Sequence, residues 1–142
     1  MKAEELRFGN IAGRIYFNPS PTGKTKAVEP GEIKEIREES INMTAKLGRK
    51  ERIKLPHALV VPIPLTEEWL LKFGFKFYEP LSHYRIVIDD VWYYVNKDFY
   101  FSFCNLKADE SQHMPYKKLK YVHQLQNLYF ALTGEELTIS EQ

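Results

Sequence analysis

The sequence predicts an α+β protein: a small antiparallel β-barrel at the N-terminus, a short helix, a three-stranded aromatic antiparallel meander and a C-terminal amphipathic helix. Three observations carry that prediction. Before residue 62, apolar residues alternate with polar ones in short runs between turn signals, the pattern of half-buried strands. Between Trp69 and Phe103 lie 13 of the 20 aromatic residues, in runs joined by connections short enough to force antiparallel pairing. From Val122 to Thr133, apolar positions recur at three- and four-residue spacing, the stripe of a helix with one buried face.

Leu6-Arg7-Phe8-Gly9-Asn10 reads as a short approach ending in a turn, since Gly and Asn tolerate positive φ. Ile15-Tyr16-Phe17 is a strand. Asn18-Pro19-Ser20-Pro21-Thr22-Gly23 reads as a loop, because its two prolines cannot donate to a ladder. Pro30-Gly31 marks a second break. Residues 32–37 suit a helix by their charges and a strand by their shortness between turn signals; we read a strand. Ile41, Met43, Ala45 and Leu47 then alternate with Asn42, Thr44 and Lys46, and Gly48-Arg49 turns the chain into Lys50–Leu55. Four or five short strands in about sixty residues imply a barrel of SH3-like size.

The best-specified local structure is Pro62–Phe75. Thr66 is a good N-cap, Leu65 and Leu70 occupy staple positions, and Glu67 and Glu68 favour the positive end of the helix. Gly74 can stop the helix in the left-handed conformation, letting Phe75 fold back onto Leu70. The strands His83–Ile88, Val91–Val95 and Phe99–Cys104 follow, joined by Asp89-Asp90 and Asn96-Lys97-Asp98. Phe99, Phe101 and Phe103 share one face and are the expected core. Residues 105–116 read as a polar loop. The last helix presents Val122, Leu125, Leu128, Tyr129 and Leu132 on one stripe, is expected to pack on the meander, and closes at Gly134.

With 142 residues the chain fits one compact domain, or a β-barrel lobe over 1–61 and a helix–meander–helix lobe over 62–142. A net charge of +1 argues against a nucleic-acid binder. The balance is uneven, because residues 1–61 carry 12 Lys/Arg against 8 Asp/Glu. The single cysteine, Cys104, excludes an internal disulfide and suits a reducing compartment. The start has no signal-peptide pattern and no apolar run is long enough to span a bilayer, so a cytoplasmic protein without membrane contact is expected.

Three blocks resemble a family: Leu6-Arg7-Phe8-Gly9-Asn10, Pro62–Phe75 (PIPLTEEWLLKFGF) and Tyr121–Leu137 (YVHQLQNLYFALTGEEL). They are similar to small hypothetical proteins carried by phages and prophages of Bacteroides-group gut bacteria. The blocks cover about a quarter of the chain. The resemblance implies a mobile-element accessory protein acting in a bacterial host cell. It brings no catalytic residue with it.

The candidate sites are few. His57, His83, His113 and His123 are scattered, and no metal-ligand spacing is present. Cys104 has no base beside it in sequence and reads as a structural thiol. Asp89-Asp90 and Asp109-Glu110 are paired carboxylates, but both pairs fall in expected turns, where aspartate serves the backbone. The basic hairpin is the best anion-binding stretch, with Lys50, Arg52 and Lys54 on one face of the returning strand, although such charges also deter edge-to-edge pairing. Trp92 and Tyr93 offer rings that could stack on a nucleobase. The expected function is therefore a non-enzymatic phage accessory protein without a cofactor. It would sequester a small phosphorylated nucleotide signal, an anti-defence role, with a protein–protein adaptor or inhibitor of a host defence protein as the alternative and a small enzyme third. A meander with two apolar faces and one covering helix also implies a homo-oligomer.

Overall fold

The computed structural model describes residues 6–20, 23–105 and 117–139, excepting the side chains at 18–20, 23–25, 104 and 105. The expected polar loop with Asp109-Glu110 and His113, and the Cys104 side chain, lie outside them. Within the described residues the protein is mostly strand, in two five-stranded antiparallel sheets. The chain forms two compact units, Met1–Pro64 with Tyr121–Glu136, and Leu65–Lys120 with Leu137–Gln142.

In the first unit, β1 (Ile11–Ser20), β2 (Gly23–Ile36), β3 (Ser40–Thr44), β4 (Arg52–Pro56) and β5 (Val60–Val61) lie in the order β4-β3-β2-β1-β5. The sheet is open, with β4 and β5 at its edges, so the expected barrel does not close into a continuous ladder. Alternation works as read over part of its length: Ile41↔Leu55 and Met43↔Ile53 pair facing the core, while Asn42↔Lys54 and Thr44↔Arg52 pair on the other face. The strands stop at Thr44 and resume at Arg52, so Ala45, Leu47 and Lys50 lie in the connection. A single turn of 3-10 helix, His57–Leu59, separates β4 from β5.

Two expected breaks are corrected. β1 runs through Ser20 and β2 starts at Gly23, so most of the predicted proline loop is strand. Pro30-Gly31 likewise lies within β2 rather than ending it. Pro30 sits where β2 has β1 on one flank and has not yet met β3, whose pairing begins at Ile33, so no ladder bond is lost on that side. Gly31 is needed there because a Cβ would collide with the Thr44 carbonyl and the Met43 side chain. The Thr44 hydroxyl accepts from the Glu32 N–H at 2.9 Å, and the register shifts between Ile33 and Glu35. The bulged β2 thus serves two neighbours: β1 along its first part and β3 along its last, where residues 32–36 of the expected 32–37 are strand. Ala12, Ile33, Ile41, Met43, Leu55 and Val60 close in the core beneath it.

The C-terminal helix, α2 (Val122–Thr133), belongs to this unit, whereas the sequence reading places it with the meander. The reason is a polar clasp. Gln126, 1% exposed, accepts from the Ile11 N–H at 2.7 Å through Oε1 and donates to the Gly9 carbonyl at 3.3 Å through Nε2. Asn10 Nδ2 and Arg7 Nε both donate to Asn127 Oδ1, at 2.9 and 2.8 Å. Arg7 also pairs with Glu136 and lies over the Phe130 ring. The first and last blocks of the sequence resemblance therefore meet in space. The buried stripe shifts accordingly: His123 and Gln126 are buried with Val122, Leu125 and Tyr129, while Leu132 is exposed.

In the second unit, α1 (Glu67–Lys72) is built as its local sequence dictates. Thr66 Oγ1 accepts from the Trp69 N–H at 3.4 Å. Phe75 N–H donates to Leu70 O and Gly74 N–H to Leu71 O, the paired bonds of a Schellman stop, with Gly74 at φ 92°. Leu70, Phe73 and Phe75 are buried. The sheet is a meander of five strands in sequence order, not three: β6 (Lys76–Tyr78), β7 (His83–Ile88), β8 (Val91–Asn96), β9 (Tyr100–Asn105) and β10 (Lys117–Lys118). Asp89 and Asp90 both take positive φ, which a two-residue hairpin requires and aspartate tolerates. Asn96 Oδ1 accepts from the N–H groups of Asp98 and Tyr100, and Phe99 takes φ 63°, so Phe99 leaves the strand. Of the three phenylalanines expected in the core, only Phe101 is fully buried, and Phe103 is 43% exposed. Among the described residues no helix is long and apolar enough to cross a membrane.

Candidate functional site

The two-residue turn at Asp89-Asp90 sets the register of the second sheet. Counting back from Ile88↔Val91 pairs Val87 with Trp92, Ile86 with Tyr93 and Arg85 with Tyr94. Residues directly opposite share a face. One face therefore carries Lys76 and Tyr78 from β6, His83 and Arg85 from β7, and Trp92 and Tyr94 from β8. The other carries Phe77, Tyr84, Ile86, Tyr93 and Phe101.

On the first of these faces the Arg85 guanidinium is held between two rings, its carbon 3.7 Å from the Tyr78 centroid and 4.4 Å from the Trp92 centroid. Those rings are themselves fixed. Tyr78 packs on His83 at 5.8 Å, His83 meets Tyr94 edge-on at 4.4 Å, and Trp92 meets Tyr94 edge-on at 5.9 Å. Tyr94 and His83 are buried, whereas Tyr78, Arg85 and Trp92 are half-buried and reach solvent. Both rings lie within cation–π distance of the guanidinium carbon, a contact that leaves the N–H donors of the group to a further partner. Among the described residues Arg85 has no ion-pair or hydrogen-bond partner. A planar donor array held by stacking suits an oxyanion.

The basic hairpin is arranged differently. Arg52 and Lys54 project from the exposed face of β4, as alternation required, and Lys50 is exposed just before it. Lys54 lines a shallow cleft of about 430 Å³ together with Arg37, Glu38, Glu39 and Ser40. Two carboxylates thus share that cleft with its two cations, and Arg37 is already paired with Glu35 at 2.7 Å. Trp92 and Tyr93 take opposite faces of β8. Tyr93 is 5% exposed and packs on Phe101 at 6.0 Å, so its ring is committed to the interior. Lys50, Arg52 and Lys54 fall in the first unit, and Trp92 and Tyr93 in the second.

Sequence reasoning missed Arg85, although the signal was present: once Asp89-Asp90 is taken as a two-residue turn, Arg85 must share a face with the aromatic strand. Burial raises the Tyr93 hydroxyl pKa above its ordinary value, with a smaller contribution from Asp89. Burial likewise raises that of Tyr84, helped by a hydrogen bond to, and the charge of, Glu67. His123 is buried and stacked on Tyr121 at α2's first turn, a structural placement. Among the described residues there is no group of three or more His, Cys, Asp or Glu side chains that could hold a metal. Comparison with protein-family models, curated proteins and solved structures finds no match to this chain.

Proposed function

We propose that this is a non-enzymatic binding protein that sequesters a small phosphorylated nucleotide, and that the aromatic sheet of the second unit is its binding surface. The observation that carries the reading is Arg85, fixed between Tyr78 and Trp92 with its donor edge unengaged among the described residues. The phage-borne relatives suggested by the sequence give this a context, an accessory protein withdrawing a host signal in a bacterial cytoplasm. The bulged β2, shared between two neighbours, supports reading the first unit as an open form of an SH3-like barrel.

Calorimetry with a panel of cyclic and linear nucleotides tests the reading. Charge-assisted contacts contribute about 1.5–3 kcal/mol, so Arg85→Ala should weaken binding roughly tenfold or more. Arg52→Ala should leave it unchanged. Loss on Arg52→Ala alone would return the site to the basic hairpin. Binding to no nucleotide would favour the second reading, a protein partner. That reading rests on Phe77 and Phe103, each 43% exposed on the opposite face of the sheet. Trp, Tyr and Arg are also the side chains that dominate protein interfaces.

A further inference from the structure

Arg85 is not the only cation in its row. The β6–β7 register sets Lys76 directly opposite it, on the same face, and Lys76 is exposed. Like charges facing each other across two strands are destabilising. Here, among the described residues, neither Lys76 nor Arg85 has a carboxylate within ion-pair distance. Stacking between Tyr78 and Trp92 restricts the guanidinium from swinging away from its neighbour. The strand pair therefore holds two adjacent positive charges, one restrained and one on a flexible stem, with aromatic rings beside them. An anion bridging the two would relieve their repulsion.

Resting on the nucleotide reading above, we infer that Lys76 and Arg85 form a two-cation seat for a terminal phosphate monoester, so that linear nucleotides are selected over cyclic ones. A phosphate monoester carries about −1.5 to −2 charge at neutral pH and three acceptor oxygens. A cyclic phosphodiester carries a single charge per phosphate and has only two free oxygens. The guanidinium edge takes two oxygens side by side, and the ammonium takes the third as a point charge. The monoester fills both cations, whereas the diester leaves one repulsive charge half-compensated.

The test is calorimetric titration of the four nucleoside 5′-monophosphates, their 3′,5′-cyclic counterparts and inorganic pyrophosphate. It uses the full chain and its Lys76→Ala, Arg85→Ala and Arg85→Lys variants. Lys76 is exposed, so Lys76→Ala folds, and it should erase a preference for the linear form of about tenfold. Arg85→Lys keeps the charge but loses the plane and the stack, and should weaken every ligand. Nucleotides that bind with no linear preference, or a preference that survives Lys76→Ala, overturn the inference while leaving the nucleotide reading standing. Pyrophosphate binding that needs both cations, with no nucleotide bound, supports the seat and removes the nucleotide reading. No binding of any of these ligands overturns both.

Discussion

Replacing Gln126 with alanine tests whether a polar clasp, rather than an apolar stripe, docks α2 on the first sheet. The side chain accepts from the Ile11 N–H at 2.7 Å and donates to the Gly9 carbonyl at 3.3 Å, and it is 1% exposed. Truncation would leave both backbone groups without this partner in a place water does not reach. An orphaned buried group costs about 1–3 kcal/mol, and the longer contact contributes the smaller share, so the loss should be about 2–4 kcal/mol. Domains of this size are stable by only about 5–15 kcal/mol. A midpoint shift of roughly 4–8 °C per kcal/mol follows for a unit under a hundred residues. Gln126→Glu keeps an acceptor for Ile11 but removes the donor to Gly9 and buries a carboxylate, so it should be no milder. Thermal melting gives the magnitude, and amide exchange at Ile11 gives the location, since that N–H should exchange faster in the variant. A melt lowered by less than about 2 °C, with Ile11 still protected, would refute the assignment of α2's docking to this side chain.

Three further outcomes are expected. Gly31→Ala drives a methyl group into the Thr44 carbonyl and should cost about 1–3 kcal/mol or more in urea unfolding; an unchanged midpoint would mean that Thr44 does not press on β2 there as described. Tyr84 and Tyr93 have hydroxyl pKa values raised in the folded state, so the unfolded chain releases their protons first. The stability they contribute is present below about pH 10 and lost as pH rises through their folded values. Phenolate absorbance should show two late-titrating tyrosines, and Glu67→Gln should bring Tyr84 down; early titration of both would contradict their burial. The exposed apolar residues Phe77 and Phe103, on one face of the second sheet, should drive self-association as a symmetric dimer, which sedimentation at micromolar concentration would disprove by showing only a 16.8 kDa species.

By itself the sequence determined the features that depend on neighbours a few residues apart. The cap at Thr66 and the stop at Gly74 need only one turn of helix, so α1 follows from its fourteen-residue block. The alternation of residues 41–44 with 52–55 and the Asp89-Asp90 turn likewise specify hairpins whose partners are close in the chain, and the pairing of Arg85 with Tyr94 follows by counting. The tertiary structure decided everything that turns on a distant contact. Pro30-Gly31 reads as a break until Thr44 is seen pressing on Gly31, and then it is the close approach just before β2 passes from β1 to β3, with the register shift following at Ile33/Glu35. Phe101 and Phe103 are equivalent by alternation, yet one is buried and the other exposed, because burial depends on what lies over each end of a strand. The helix stripe looked apolar, but Gln126 is buried because backbone groups some 115 positions away lack partners until it arrives. Hydrogen-bond satisfaction is a property of the assembled interior, and no local pattern announces which glutamine will be asked to supply it.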